Sequence, residues 1–407
     1  MITTHTLSNG IRLIHKAGEG VVSCCGLVVH AGSRHEQPDE LGLAHFTEHL
    51  LFKGTQKRRS HHILNRMERV GGELNAYTTK EETFVYSLFL KEDFGRALEL
   101  LSDLFFRSSF PESEIAKERV VVLDEINSYE DSPSELIFDD FDQLIFPDHP
   151  LGQRILGHPE SLETFNSDRV RAFHARAYHP ERVVFYSQSA LPFKQVLRLA
   201  ERYLGSVKTS SQWEAFGEEK PNPAIAQRST ISKDTHQAHV MLGNAAYSFF
   251  DSDRLGLYFL NNILGGPGMN SRLNIALRER SGLVYGVESS VTSFTDSGLF
   301  SIYFGTDPDQ VDRCLDLVEK ELKRLRNKPL SDATLRSARK QLYGQLRISS
   351  ENKESQTLSM GKSMLYFNTF EPLDQVFHKI EAFQAKQLME IAERVFDPRT
   401  MSLLVYK

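Results

Sequence analysis

Two imidazoles and a carboxylate sit within one turn of each other in the stretch Leu43-Ala-His-Phe-Thr-Glu-His-Leu-Leu-Phe52. On a helix, His45 and His49 stack on one face, and Glu48 leans over that face three residues after His45. Imidazoles spaced i, i+4 can turn one nitrogen each toward a single cation, and a neighbouring carboxylate can take a proton from water activated there. The order H-x-x-E-H is the inverse of the H-E-x-x-H zinc helix and serves the same chemistry. Phe46, Leu50, Leu51 and Phe52 make the surroundings apolar, so the polar groups are costly to bury unless something engages them. The competing reading is a pair of hydrogen-bonded core histidines.

A site with two histidines needs a third protein ligand, and His₂Glu is one solution. Downstream, Pro111 opens a helical run from Glu112 to Asn127. Glu118 and Glu125 lie seven residues apart in it, two turns along one face. Glu125 falls between Leu123 and Ile126, which makes it the candidate third ligand against the commoner solvated glutamate.

The elements that would position these groups can be followed along the chain. Residues 3–30 read as two strands around the turn Ser8-Asn9-Gly10. A helix spans Leu41 to Lys53 and stops at Gly54, and a second begins at Ser60 and ends at Gly71-Gly72. Residues 73–90 are rich in β-branched and aromatic side chains and read as paired strands. The second half repeats this plan. Leu255-Gly-Leu-Tyr-Phe-Leu-Asn-Asn-Ile-Leu264 aligns without a gap on Leu41–Leu50, placing Phe259 at His45, Asn262 at Glu48 and Ile263 at His49. The fold class is therefore α+β: two repeated units, each a mostly antiparallel sheet with helices packed on one face. The expected division is 1–205, a polar linker at 206–235, and 236–407, with the metal chemistry kept in the first unit alone. The Gly265-Gly266-Pro267-Gly268 run follows a helix and lacks the Lys-Ser/Thr of a phosphate loop, so it reads as a tight turn.

Bulk properties narrow the function classes. The 407 residues carry a formal charge of −6, with 40% hydrophobic and 25% charged residues. No block of like charge argues for nucleic acid or for an anionic membrane surface. Of three cysteines, Cys24 and Cys25 are adjacent and Cys314 is remote, which is no disulfide framework. Val-Val-Ser-Cys-Cys-Gly-Leu-Val-Val reads as a buried strand. Reduced thiols and an N-terminus without a basic-then-apolar leader lead to the expectation of a cytoplasmic protein.

Taken together, four segments resemble the pitrilysin–insulysin–mitochondrial processing peptidase family of inverted-motif zinc endopeptidases. They are Gly42–Gly54, Gly71–Thr78 with Asn75 and Ala76, Glu118–Glu125, and Arg278-Glu-Arg-Ser-Gly-Leu-Val-Tyr285. The resemblance runs over nearly the whole chain and matches the half-length subunit type, in which two chains close one chamber. It implies one Zn²⁺ per chain held by His45, His49 and Glu125, with Glu48 as general base and Glu118 orienting a ligand. It further implies that Asn75 and Ala76 lie on an edge strand pairing with a peptide substrate. Arg278 and Tyr285 would contact the substrate and its developing oxyanion, reaching the zinc site of the other chain. Because both halves of the machinery are kept, the expected assembly is a homodimer acting on small or unfolded peptides. The rival reading is a non-catalytic processing partner or scaffold with a vestigial metal site.

Overall fold

The computed structural model describes residues 2–208, 216–217, 219–222, 225–233 and 235–407. The first half of the chain runs β1 (Ile2–Thr6), β2 (Arg12–Ala17), β3 (Val22–Val29), α1 (Leu43–Leu51), α2 (Ser60–Glu68), β4 (Glu73–Thr78), β5 (Thr83–Leu90), α3 (Phe94–Arg107), α4 (Glu112–Glu130), α5 (Pro133–Ile145), α6 (Pro159–Glu163), α7 (Ser167–Ala177), β6 (Val183–Ser189) and α8 (Phe193–Tyr203). The second runs β7 (Arg228–Ile231), β8 (Ala238–Ala245), α9 (Arg254–Gly265), a π-helical segment (Asn274–Glu279), β9 (Val284–Ser293), β10 (Gly298–Thr306), α10 (Val311–Asn327), α11 (Asp332–Ser349), α12 (Lys353–Phe367), α13 (Leu373–Ala382), α14 (Ala385–Val395) and β11 (Ser402–Tyr406). The opening stretch holds three strands rather than two, because β3 separates from β2 at the Gly18–Gly20 break.

The repeat is a repeat of topology. One sheet has the order β1-β2-β6-β3-β5-β4 and the other β7-β11-β8-β10-β9. Apart from β1 the orders correspond strand for strand. In each sheet a single parallel pair, β2 with β6 and β7 with β11, interrupts an otherwise antiparallel arrangement. β4 and β9 occupy the equivalent edge. Cys24 and Cys25 are buried on β3, as small apolar side chains commonly are.

In the first unit the main helical layer packs on one face of its sheet. Phe46, Leu50, Leu101, Phe105 and Phe173 join Leu27 and Phe185 in one buried cluster. The opposite face is covered by α12, whose Met360 and Met364 meet Ile14, Val28, Phe84 and Tyr186. Gly361 makes this seat possible: a Cβ there would stand 2.5 Å from the Tyr186 ring. In the second unit the main cluster includes Leu257, Phe259, Phe300, Val318 and Ile391. There α5 covers the other face of the sheet with Leu136, Ile137 and Phe141 against Met241 and Leu404. The Tyr406 hydroxyl donates to Asp140 at 2.6 Å.

The compact units are consequently not contiguous in sequence. The first comprises Met1–Asn127, Gln153–Glu218 and Ile348–Glu371, the second Ser128–Gly152, Glu219–Arg347 and Pro372–Lys407. The expected division at 1–205 and 236–407 differs from this by two helices. α5 lies in the first half of the chain and belongs to the second unit, and α12 does the reverse. Both are placed by the sheet face they cover. The linker expected at 206–235 falls partly outside the described residues, and within it Arg228–Ile231 is β7. Among the described residues, no helix is long and apolar enough to cross a membrane.

Candidate metal centre

α1 is set by its N-terminus. Gly42 precedes it with φ of 91°, and a Cβ there would fall 2.6 Å from the Leu156 carbonyl oxygen, so only glycine fits. Its first orphan donors are met by a buried carboxylate. Glu36 Oε2 accepts from the Gly42 N–H at 2.9 Å and Oε1 from the Ala44 N–H at 2.7 Å. Burial pushes the Glu36 pKa well up, and these two hydrogen bonds act against it. The apolar side of α1 is anchored by Phe46 and Leu50, and that fixes the direction in which His45, Glu48 and His49 point.

The structure brings the three candidate ligands together. One donor atom each from His45, His49 and Glu125 lies within 4.8 Å of the other two. The centres of the two rings stand 4.5 Å apart at an edge-on angle, and Glu125 Oε2 is 3.9 Å from His45 Nε2 and 3.7 Å from His49 Nε2. Those two donor separations are too long for hydrogen bonds. They are within about 0.6 Å of the edges, about 3.3 Å, of a tetrahedron with zinc-to-ligand bonds of about 2.0–2.1 Å. The donor set therefore fits a divalent cation better than it fits itself. Glu125 is not buried as its neighbours suggest: its side chain is 35% exposed, so the mouth of the cluster is open on that side.

His49 is oriented from behind. Its Nδ1 lies 2.9 Å from Glu118 Oε1, and Lys53 Nζ donates to Glu118 Oε2 at 2.6 Å. A donating Nδ1–H leaves the Nε2 lone pair turned toward Glu125, the arrangement metal-binding histidines use. Burial would lower the His49 pKa, but the Glu118 hydrogen bond and the nearby carboxylates leave it raised. Burial would raise Glu118, but His49 and Lys53 hold it below the usual carboxylate range. His45 is pushed down to about 3 by burial, with His49 adding to the effect, and is neutral at pH 7. Its Nδ1 is buried without a hydrogen-bond partner among the described residues. Glu48 does not join the three ligands. Thr78 on β4 donates to its Oε2 at 2.9 Å, and burial raises its pKa, which suits a proton acceptor that later returns the proton.

Asn75 and Ala76 lie where the resemblance puts them, on β4, which pairs with β5 alone among the described residues and forms the sheet edge. Ala76 packs toward the core cluster beneath α1, whereas Asn75 is exposed. Arg278 and Tyr285 belong to the second unit. Arg278 projects from the π-helical segment with its guanidinium carbon 5.8 Å from the Tyr285 ring centre. Tyr285 is the second residue of β9 and is 88% exposed, so it is not a strand tyrosine packed by its ring. A cavity of about 370 Å³ beside Arg278 is lined by Asn261, Asn262, Ser289 and the Gly265–Gly268 turn.

Sequence reasoning missed Glu36 and Thr78. Glu36 stands six residues before the glycine it caps and carries no periodic signal. Thr78 is two residues beyond Ala76 and so on the same face of β4, a period-2 relation that could have flagged it.

Comparison with known proteins gives the family. Residues 13–159 match the profile "Insulinase (Peptidase family M16)", and residues 164–342 match "Peptidase M16 inactive domain". An uncharacterized zinc protease of Bacillus subtilis, YmxG, is 34% identical over 397 residues, covering 97% of this chain and 96% of that protein. An uncharacterized zinc protease of Rickettsia bellii is 33% identical over 400 residues, covering 98% and 96%. The fold is shared with a protease from Helicobacter pylori, at a TM-score of 0.94, 20% identity and coverage of 100% and 99%. It is also shared with a Pseudomonas fluorescens structure described as a peptidase M16 inactive domain, at 0.91, 21%, and 100% and 97%. With two whole-length relatives above 30% identity and both halves matched in order, the chain belongs to peptidase family M16.

Proposed function

We propose that the protein is a zinc-dependent endopeptidase of small or unfolded peptides. The observation that carries the reading is the convergence of His45, His49 and Glu125 from two helices, with Glu48 beside them and unused as a ligand. His45, His49 and Glu125 would hold the zinc. When bound, it supplies Lewis acidity toward a water molecule and a scissile carbonyl. Glu48, its carboxylate steadied by Thr78, takes the proton from the attacking water and delivers it to the leaving amine. Glu118 fixes the tautomer of His49. The free edge of β4 at Asn75 and Ala76 supports pairing with an extended peptide backbone, which aligns the scissile bond without demanding one sequence. The roles of Arg278 and Tyr285 in binding the substrate and its oxyanion rest on the family resemblance, as do the closed chamber and the homodimer. The cytoplasmic location rests on the reduced cysteines.

The test is hydrolysis of a quenched fluorescent peptide by the purified chain and its Glu48→Gln variant. The variant should keep near-stoichiometric zinc and lose at least about a hundredfold in activity, the scale of a positioned acid–base group. Retained activity would remove Glu48 from the reaction. Cleavage insensitive to chelator, or none by the chain alone, would favour the non-catalytic partner, a reading that the "inactive domain" description of residues 164–342 keeps open.

A further inference from the structure

We propose that the cavity formed by the π-helical segment, the end of α10 and the start of α11 is a binding site for a small phosphate-bearing anion carrying a di- or triphosphate group. The cavity measures about 460 Å³, within the range of small-ligand sites. Four cations line it from separate elements: Arg272 and Arg280 flank the π-helical segment, Arg324 is on α10 and Lys328 is in the loop that follows. The only acid among the described lining residues is Glu321. The chain as a whole is acidic, at −6, so a local surplus of three positive charges runs against its balance.

The available counter-charge does not neutralise this cluster. Glu321 is buried and paired with Arg324, and it reaches Arg272 only at 4.0 Å. Neither Arg280 nor Lys328 has an ion-pair partner among the described residues. Burial lowers the pKa of Arg272, Arg324 adds to that, and Glu321 opposes it. Cations crowded in a concavity repel one another, and an anion with several oxygens relieves the repulsion through charge-assisted hydrogen bonds that guanidinium groups make in pairs. The first turn of α11 adds to the field. At the positive end of that 18-residue helix the Ser331 and Thr334 hydroxyls are hydrogen-bonded to each other at 2.9 Å and Ser331 Oγ accepts from the Thr334 N–H at 3.3 Å, which leaves one hydroxyl hydrogen to donate, although Asp332 on the same turn takes part of that potential. Ile275, Ala276 and Leu330 supply an apolar wall. Arg278, on another side of the same segment, lines the other cavity and not this one. The proposal is independent of the peptidase reading.

Isothermal titration of the full chain at low ionic strength tests it, with tripolyphosphate, ADP, adenosine and sulfate as probes. Tripolyphosphate should bind one per chain, more tightly than sulfate, and weaken as salt rises. ADP exceeding tripolyphosphate identifies a nucleotide, and the reverse identifies free polyphosphate. The Arg280→Glu/Lys328→Glu variant, altered at exposed positions, should bind at least about tenfold more weakly at an unchanged melting temperature. If that variant is unstable, Arg280→Gln alone should still weaken binding several-fold. Because polyphosphates chelate zinc, the titration is repeated on His45→Ala. Binding lost there, unchanged in the Arg280 variants, matched by sulfate, or equal for adenosine would overturn the proposal.

Discussion

α1 and α9 follow equivalent strands of two sheets whose orders correspond apart from β1, and they do opposite things with that place. At the aligned positions α1 carries His45, Glu48 and His49, and α9 carries Phe259, Asn262 and Ile263. Phe259 is fully buried in the core of its unit. His45 is 8% exposed and faces a carboxylate at 3.9 Å, a distance at which neither group satisfies the other. The fold therefore tolerates an apolar residue here. The polar version costs desolvation that only a ligand offsets, so the histidines are not a requirement of packing.

Making α1 resemble α9 should have the largest effect. His45→Phe with His49→Ile removes two of three ligands while keeping side chains the fold already accepts. Zinc should fall from one per chain to none by metal analysis, and peptide hydrolysis should drop to the level of chelated protein, with the circular dichroism spectrum unchanged. A variant that stayed active would break the comparison. The reverse exchange, Phe259→His with Ile263→His, should gain no zinc. His45, His49 and Glu125 form the one cluster of three or more such ligands among the described residues, so α9 has no partner carboxylate of that kind in place. It should instead lose about 4 kcal/mol of stability, combining the loss of a buried aromatic ring with an unpaired buried imidazole. Denaturant unfolding measures this, and a second zinc per chain would show that the copies differ less than their sequences do.

What separates a ligand from a packed histidine can be sharpened within the first unit. His174 is half-buried, stacked on Tyr178, and its Nε2 has the Phe105 carbonyl at 2.9 Å. Burial pushes its pKa down to about 4, against 6.5 for the free side chain. The unfolded chain therefore binds more protons between these values. The contribution is complete above about pH 6.5 and is lost as pH falls toward 4, by about 3 kcal/mol in all. His174→Gln should flatten that part of the stability–pH profile and leave zinc content untouched. Loss of metal in this variant would mean that burial alone, and not an unsatisfied donor, is being read as a ligand signal.

The candidate ligands on α1 were legible because they obey helical spacing, four residues apart, whereas Glu125 on α4 was one of two glutamates sharing a face and was singled out by the family resemblance. The sequence showed the repeat where apolar patterns coincide. It did not show that α5 and α12 change units, since an amphipathic face states that it will be covered and not by which sheet. Glu36 was invisible for a related reason. It acts through backbone N–H groups six and eight residues away, at Gly42 and Ala44, with no periodic signature. The π-helical winding around Arg278 likewise carried no periodic signature in the sequence.

The smallest effect concerns Glu118, which separates a ligand from the residue that aims one. It accepts from His49 Nδ1 and is held by Lys53, and its nearer oxygen is on the far side of the ring from Glu125. Glu118→Gln keeps the shape and can still accept from Nδ1–H, but it removes the charge that makes the imidazole a stronger donor. Zinc affinity should fall about 10–100-fold, equivalent to about 1.4–2.7 kcal/mol, as competition against a chelator of known affinity would measure. At saturating zinc, kcat should return to near the parent value, because Glu48 and Thr78 are undisturbed. A kcat that stays low with the site full would place Glu118 in the proton transfer itself, and the division of labour between the two helices would have to be redrawn.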